Sequence, residues 1–315
     1  MKRRSFSFLM ALLGLAVLVG CKRSEQPGST TSPGKPRIAL VMGSLANEFF
    51  QHMAEGAKAD QAAHSNEYDL IINGIKNATD ISEQANLVDQ MVAQDVQAIV
   101  IAPSDAKALI PAIKRAKGAG IIVVNIDSKL DADALKQAGL SVPYVGPDNR
   151  EGAAKVGEVV ASKLKPGDEV AIIEGIPTAL NAQQRLAGFQ EAMKKAGMKV
   201  ISVQSGEWEM DKANTIAAAL IIEHSNLKAI LCSNDNMALG AVAAVQVAGK
   251  TGQILIAGFD NISAIHTMIE DGRVLVTADQ HSDKLAVFGI DKALTLLKGT
   301  GPEDTTTPVD IIVKK

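Results

Sequence analysis

From Arg37 onward, short apolar runs rich in Val and Ile alternate with longer amphipathic stretches. The runs lie at 38–42, 69–72, 97–102, 121–126, 169–173, 199–203, 228–232, 253–258 and 274–278. Continuous apolar runs of this kind are typical of parallel strands buried on both faces. In the stretches at 81–94 and 209–225, apolar residues recur at spacings of three and four, which predicts helices. The pattern therefore predicts an α/β fold built from doubly wound parallel sheets.

The runs fall into two blocks. We predict that 127–142 is irregular and that, after Pro143-Tyr-Val-Gly-Pro147, the second block begins with a helix near Asn149. Two such blocks facing each other across a cleft fit the length and the pattern, although the sequence leaves open which late strands return to the first block. Ligands of such folds bind at the carboxyl ends of the strands.

The N-terminus has the features of a secretory signal. Lys2, Arg3 and Arg4 precede an apolar run that ends in Leu18-Val-Gly-Cys21, which resembles the bacterial lipobox. The run is about 14 residues long, short of the roughly 20 that a spanning helix needs. We predict a signal peptide at 1–20, lipidation of Cys21 and a polar linker at 21–36. An uncleaved anchor and an ordinary signal are the alternatives. The prediction places the protein in the periplasm or at the cell surface, anchored to a bacterial membrane by lipid.

Composition excludes several classes of function. The formal charge is −3, and it becomes −6 without the three basic residues of the signal, with 29 Lys and Arg against 35 Asp and Glu. No basic patch indicates nucleic acid. If Cys21 carries lipid, only Cys232 remains and no internal disulfide forms. The five histidines lack metal-ligand spacing, so we expect neither a metal nor a cofactor.

Enzyme motifs are also missing from the sequence. Gly249-Lys-Thr251 resembles only the end of a P-loop, and it follows a helical stretch rather than a strand. We find no dinucleotide fingerprint and no nucleophile elbow. The chain is therefore not predicted to be an enzyme.

Aromatic residues are scarce, so their positions are informative. Asn47-Glu-Phe-Phe50 follows the first strand. It forms either a hydrophobic staple with one core residue or an exposed aromatic wall. Trp208, the single tryptophan, lies in the polar segment Gly206-Glu-Trp-Glu209 after a strand. A large apolar face in such a setting points to a binding role.

Polar side chains directly follow several apolar strands. They are Asp127, Asn234, Asp260 and Gln280, with Arg185 near a helix start. Asn and Asp are also common helix caps, so each residue alone has two interpretations. Together with aromatic faces, however, carboxylate, amide and guanidinium groups describe a saccharide site.

These residues resemble the ribose, allose and galactose group of solute-binding proteins of ABC transporters. The resemblance spans most of 37–315 and rests on Asn47-x-Phe-Phe50, Asn125-Ile-Asp127, Pro147-Asp-Asn149, Arg185-x-x-Gly-Phe189, Asn234-Asp-x-Met-Ala-Leu-Gly240, Gly258-Phe-Asp260 and Thr277-x-x-Gln280. The family implies a type I periplasmic binding protein fold with two lobes and a three-segment hinge. The lobes would be 37–147 plus 281–308 and 148–280 plus 309–315, crossing near 146–148, 279–282 and 307–309.

By position, the resemblance implies a sugar between the lobes, with Phe50 and Trp208 on either side of its ring. The implied sugar-binding residues are Asn47, Phe49, Phe50, Asp127, Asn181, Arg185, Trp208, Asn234, Asp260 and Gln280. The chain departs from ribose binders at Gly43, Ala102 and Ser128, and Glu48 replaces the usual Pro. We expect the space at Gly43 and Ala102 to favour a hexose, allose-like, over ribose.

The expected function is capture of a monosaccharide and its delivery to an ABC permease by a monomeric, lipid-anchored protein. A receptor of the same fold that signals to a membrane chemoreceptor is the main alternative. A secreted α/β hydrolase would need a nucleophile with a paired base, which the sequence does not offer. A sugar-responsive repressor would need a DNA-binding segment where this chain has a signal peptide.

Overall fold

All nine apolar runs form β-strands. The computed structural model describes residues 34–315, so the predicted signal peptide, Cys21 and most of the linker lie outside the described residues. The strands in this part are β1 Arg37–Ser44, β2 Asp69–Ile75, β3 Ala98–Ile101, β4 Ile122–Ile126, β5 Tyr144–Pro147, β6 Glu169–Glu174, β7 Lys199–Ser205, β8 Leu227–Cys232, β9 Leu255–Ala257, β10 Val276–Asp279, β11 Thr305–Thr307 and β12 Asp310–Val313.

Helices follow most of the strands. They are α1 Glu48–Ala63, α2 Ile81–Ala93, α3 Ile110–Gly118, α4 Ala132–Gln137, α5 Asn149–Ala161, α6 Leu180–Lys195, α7 Met210–Glu223, α8 Asp235–Val247, α9 Ser263–Glu270 and α10 Ser282–Leu297. The two stretches with helical spacing are α2 and α7, and both bury one apolar face.

The strands form two six-stranded sheets. The first has the order β11-β5-β4-β3-β1-β2, and its neighbouring strands are all parallel. The second has the order β12-β10-β9-β8-β6-β7, in which only β12 runs antiparallel to its neighbour. We call the first sheet with α1–α4 and α10 the first lobe, and the second sheet with α5–α9 the second lobe.

Helices cover both faces of each sheet. In β1, Ile38, Leu40 and Met42 pack into one core cluster, whereas Ala39 and Val41 pack into another on the opposite face. This alternation explains why the strand is apolar throughout, since each face needs its own apolar side chains. The predicted fold class, two α/β lobes with mostly parallel sheets, is confirmed.

Three short strands and one short helix depart from the predicted pattern. The helix α4 lies within the segment predicted to be irregular, and β5 carries Gly146 and Pro147, which normally mark turns. The strands β11 and β12 lie at sheet edges and are partly exposed, so they carry little apolar signal.

The chain passes between the two sheets at three places. It leaves the first sheet after β5 for α5, returns from β10 to α10, and crosses again between β11 and β12. These passages bring the carboxyl ends of strands from both lobes toward one cleft.

Candidate ligand-binding cleft

A cleft lined by both lobes lies at the carboxyl ends of their strands. It holds about 660 Å³ of space free of protein atoms, part of it open to solvent. Every residue of the predicted site lines this cleft: Asn47, Phe49, Phe50, Asp127, Asn181, Arg185, Trp208, Asn234, Asp260 and Gln280. The fold thus brings together side chains that are scattered along the sequence.

On the first lobe, Asn47 both caps α1 and lines the cleft. Its Oδ1 accepts a hydrogen bond from the backbone N–H of Phe49 at 3.0 Å. The cap stabilises the first turn of the helix and fixes the orientation of the amide at the cleft. The two interpretations of this residue, cap and site residue, therefore coincide.

The two adjacent phenylalanines divide their roles. Phe49 is 3% exposed and packs in the first-lobe core, whereas Phe50 is half-buried on the cleft wall. Their rings meet edge to face, with centroids 5.1 Å apart and planes at 75°. Consecutive side chains at a helix start point in different directions, so the core and wall interpretations each hold for one of them.

The space expected at Gly43 and Ala102 is not available to a ligand. A Cβ at Gly43 would lie 2.7 Å from the Phe50 ring, so the ring already fills that space. Ala102 is 1% exposed and does not line the cleft. The prediction of an enlarged cleft at these positions is wrong, so these positions no longer support a preference for a hexose.

On the second lobe, Trp208 packs directly on the backbone. It lies in the turn between β7 and α7 with φ of 67°, after Glu207 at 52°. A Cβ at Gly175 would lie 2.1 Å from the indole ring. Ser205 Oγ donates to the Gly175 carbonyl at 2.6 Å and ties the turn to β6. Only a glycine lets the ring approach this closely, so Gly175 sets the position of the indole face.

Arg185 is the polar centre of the second-lobe wall. It is 2% exposed, and its Nε donates to Asn149 Oδ1 at 2.8 Å. Its Nη1 donates to the Ser233 carbonyl at 2.8 Å and lies 3.5 Å from Asp260 Oδ1. The guanidinium also stacks 3.8 Å from the centroid of the Phe259 ring. Charge-assisted bonds and stacking together fix its orientation.

Asp260 and Gln280 extend this network. Gln280 Nε2 donates to Asp260 Oδ1 at 2.7 Å, while Gln280 Oε1 is buried without a hydrogen-bond partner among residues 34–315. Burial raises the pKa of Asp260 well above its ordinary value, although Arg185 acts in the opposite direction. A buried acceptor without a partner is costly unless a ligand donates to it.

Asp127 supplies the carboxyl of the first lobe. Burial raises its pKa to about 6, and Arg185 of the second lobe and the Asn181 side chain oppose this shift. Its φ of 62° belongs to a turn held by Tyr144, whose hydroxyl donates to the Asp127 carbonyl at 2.8 Å. The carboxyl therefore depends electrostatically on the opposite lobe.

Asn234 caps a helix at the cleft, and its neighbour Asp235 supports the cleft from behind. Oδ1 of Asn234 accepts from the Met237 N–H at 2.9 Å and caps α8. Asp235 lies behind the cleft, where its carboxyl accepts from Thr277 Oγ1 at 2.8 Å and from the Ile262 N–H at 3.1 Å. Burial raises its pKa to about 7. Asp235 thereby ties α8 to the loop that carries Asp260.

Further cleft residues escaped the sequence argument. The polar ones are Ser44, Ser104, Glu209 and Asn236. Ser104 follows β3, so the rule that polar residues after strand ends line the site identifies it in retrospect. Its backbone N–H donates to Oε1 of the fully buried Gln84 at 2.9 Å. Asn236 and Glu209 carry no comparable signal, because they lie within or beside helix starts.

The arrangement offers binding groups but no sign of a metal centre. Among residues 34–315, no cluster of three or more His, Cys, Asp or Glu side chains has metal-binding geometry. Carboxyl, amide and guanidinium groups at the cleft suit a ligand with several hydroxyls, and the rings of Phe50 and Trp208 suit apolar C–H faces. Within the same residues, no helix combines the length and apolarity needed to cross a membrane.

Comparison with known proteins identifies related sequences. A family model described as a periplasmic binding protein domain matches residues 38–301. A D-ribose/D-allose-binding protein from Pseudomonas aeruginosa is 54% identical over 309 residues, which cover 96% of this chain and 97% of the relative.

Two solved structures share both fold and sequence. An ABC transporter solute-binding protein from Burkholderia multivorans, whose unknown ligand is represented as α-D-erythrofuranose, gives a TM-score of 0.87 at 58% identity. The match covers 89% of this chain and 100% of that one. A periplasmic solute-binding protein from Actinobacillus succinogenes with bound D-allose gives 0.83 at 34% identity, covering 89% and 98%.

Proposed function

The chain belongs to the periplasmic binding protein domain family, and from that premise we propose that it captures a monosaccharide of the ribose and allose class and delivers it to an ABC permease. As a member of this family it is a sugar-binding solute-binding protein of an ABC transporter and not an enzyme. The observation that supports the proposal most is the hydrogen-bonded network of Arg185, Asp260 and Gln280, which lines the cleft opposite the Phe50 ring.

The charges of the cleft favour a neutral ligand. Asp127 and Asp260 accompany one guanidinium, and that guanidinium already bonds to Asn149, Ser233 and Asp260. A sugar acid or sugar phosphate would bring further negative charge beside buried carboxyls. Neutral hydroxyls can instead donate to the carboxyl oxygens and to Gln280 Oε1.

We propose D-allose as the leading ligand and D-ribose as its competitor. Both names belong to the Pseudomonas relative, and D-allose is bound in the Actinobacillus structure. The pyranose forms of these sugars share their configuration at C2, C3 and C4, and allose adds a hydroxymethyl group. One arrangement of polar side chains can therefore serve both sugars, and the room for the added group decides between them.

Titration of the full-length protein with four sugars tests the proposal. The intrinsic fluorescence of Trp208 and isothermal calorimetry report binding of D-allose, D-ribose and their C3 epimers, D-glucose and D-xylose. We expect saturation by allose or ribose with a dissociation constant of about 1 μM, which corresponds to a binding free energy of about −8 kcal/mol. The epimers should bind at least about 100-fold more weakly, because inverting one hydroxyl leaves buried polar groups unpaired. Failure of all four sugars to saturate the protein, or equal binding of the epimers, contradicts the proposal.

Closure of two lobes about the three crossings would couple capture to delivery. We assign 37–147 plus 281–308 to one lobe and 148–280 plus 309–315 to the other. Only the closed form presents both lobe surfaces together, so a permease can distinguish loaded from empty protein. The signalling alternative needs the same closed form. Loss of sugar uptake on deletion of the gene supports transport, whereas loss of chemotaxis with uptake unchanged supports signalling.

We also propose that Cys21 carries a lipid anchor and that 1–20 is removed. The support is the basic start, the apolar run and the sequence Leu18-Val-Gly-Cys21. Replacing Cys21 by Ser should move the protein from the membrane fraction to the soluble extracytoplasmic fraction. Cys232→Ser is the matched control, since Cys232 is buried and should leave the fractionation unchanged. Continued membrane attachment of Cys21→Ser contradicts the anchor.

A further inference from the structure

A contact between the lobes lies outside the ligand cleft. Glu48, the first residue of α1 on the first lobe, accepts through Oε1 a hydrogen bond from the backbone N–H of Ser263 at 2.8 Å. Ser263 is the first residue of α9 on the second lobe, 215 residues further along the chain. Neither residue lines the cleft.

The helix that receives this contact lacks a cap of its own. Its N-cap residue is Ile262, which has no side-chain acceptor, and no side-chain cap bond forms at this end within the helix. The first backbone N–H groups of a helix need an acceptor and carry partial positive charge. The carboxylate of Glu48 meets both requirements from the opposite lobe. Burial alone would raise the Glu48 pKa, but the bonds from Ser263 and the charge of His52 outweigh it and lower the pKa.

His52 completes the contact one helical turn along α1. Its Nε2 lies 3.3 Å from Ser263 Oγ and 3.3 Å from Glu48 Oε1. The side chains of Glu48 and His52 are 26% and 32% exposed, so the group lies at a rim that water reaches. We call Glu48, His52 and Ser263 the interlobe clasp.

We propose that Glu48 is a positioning residue that holds the lobes closed and thereby sets how slowly the sugar leaves. The proposal rests on the function proposed above. The clasp joins residues of both lobes, so it exists only while they are together. A contact that is present in the closed state alone shifts the equilibrium toward that state and slows reopening. It does so without touching the ligand, so it acts on release more than on recognition.

Two variants act on the same hydrogen bond from opposite sides. Glu48→Gln keeps an acceptor oxygen but removes its negative charge, which weakens the bond. Ser263→Pro removes the N–H on α9, and proline suits the first helical position. Ile262, at φ −65° and ψ 155°, already has the extended backbone that precedes a proline. Glu55→Gln is the matched control on α1, since Glu55 is exposed and makes no ion pair or side-chain hydrogen bond among residues 34–315. Ser263→Ala controls for the hydroxyl and keeps the N–H.

Stopped-flow release of D-allose or D-ribose, followed by Trp208 fluorescence, provides the first readout. A charge-assisted bond at a partly exposed rim should slow release by about 3- to 20-fold. Ser263→Pro should lose this factor, and Glu48→Gln should lose part of it. The double variant should release no faster than Ser263→Pro alone, because without the N–H at position 263 the side chain at position 48 has no donor left to lose. Association rates should stay close to those of Glu55→Gln. Unchanged release, or additive effects in the double variant, overturns the clasp.

Hydrogen exchange provides a second readout that needs no sugar. Peptides that contain the Ser263 amide should exchange faster in Glu48→Gln than in Glu55→Gln, while the rest of α9 is unchanged. Equal exchange in the two variants, with and without sugar, overturns the clasp. If no sugar binds the parent protein, the proposed function fails, and the exchange comparison without sugar still decides on the clasp.

Discussion

The two walls of the cleft differ in how their polar groups are held. On the second lobe, Arg185 is fixed by Asn149, by the Ser233 carbonyl and by Asp260. On the first lobe, Asn47 is held by its own helix cap, and Asp127 depends on Arg185 across the cleft. The polar groups of the second-lobe wall are thus held within their own lobe, whereas Asp127 on the first-lobe wall depends on a residue of the second lobe.

This difference indicates a division of labour in binding. Groups already held in place lose little conformational freedom when a ligand arrives, so their hydrogen bonds add more to affinity. The second-lobe wall should therefore provide most of the recognition. The first-lobe wall, with its Phe50 ring, should add its contribution as the lobes close.

The largest expected effect comes from removing the centre of the second-lobe wall. Arg185→Met should weaken sugar binding by at least about 100-fold, because it breaks a buried network and leaves Asp127 and Asp260 without their cation. Arg185→Lys should rescue little, since an ammonium group lacks the planar fork. Calorimetry measures the affinity, and circular dichroism checks the fold.

Arg150→Met is the control for this prediction. Arg150 pairs with Glu191 at an exposed site, so its loss should change affinity by less than about twofold. Equal affinities of the Arg150 and Arg185 variants contradict the assignment of recognition to the second lobe.

The pH dependence of stability tests how burial and Arg185 of the opposite wall act on the Asp127 carboxyl. The pKa of Asp127 in the folded protein is about 6, against an ordinary value of 3.8. A raised pKa favours the neutral form, so the stabilisation is complete below about pH 4 and is lost as the pH rises through about 6. Asp127→Asn, which is neutral throughout, should therefore raise the free energy of unfolding by up to about 3 kcal/mol near pH 8 and by almost nothing near pH 4.

Denaturant unfolding at both pH values measures this difference. Asparagine tolerates the positive φ of this position. Glu55→Gln, which alters an exposed carboxyl, should follow the parent protein at both pH values. A gain of the same size at both pH values indicates a packing effect and refutes the role of charge.

Removing the aromatic ring of the second lobe should weaken sugar binding more than removing that of the first lobe. Trp208→Ala should weaken binding by about 50-fold and Phe50→Ala by about 10-fold, because the indole offers the larger face. Calorimetry is the readout, since the first variant has no tryptophan. Retention of most affinity in Trp208→Phe would attribute the effect to the ring face. A larger loss in Phe50→Ala than in Trp208→Ala reverses the comparison.

The smallest expected effects come from the glycines beneath these rings. A Cβ would lie 2.1 Å from the indole at Gly175 and 2.7 Å from the Phe50 ring at Gly43. Alanine should therefore displace Trp208 more, with affinity losses of about 10-fold and about 3-fold. Gly118→Ala is the control, because nothing lies within 4 Å of its added Cβ. Losses of equal size at Gly175 and Gly118 exclude the steric account.

The sequence determined the scaffold of this protein. The nine strands with apolar runs were predictable because strands buried on both faces must be apolar at every position, a signal that is local and continuous. The edge strands β2 and β7 are partly exposed but still carry such a run. The strands β5, β11 and β12 were not predictable, since β5 ends in Gly146 and Pro147 and since β11 and β12 are short and partly exposed. The composition of the cleft was predictable as well, because parallel sheets gather the residues after their strand ends at one edge. That these residues bind a sugar stays a prediction.

Only the tertiary structure decided how those residues are used. Adjacent side chains such as Phe49 and Phe50 have the same local pattern, and their packing surroundings alone bury Phe49 in the core and leave Phe50 half-buried on the cleft wall. The absence of a side chain at Gly43 indicates space in the sequence, but the Phe50 ring occupies it in the fold. The bond from Ser263 to Glu48 joins positions 215 residues apart. Such contacts depend on the relative placement of two lobes, which no local pattern encodes.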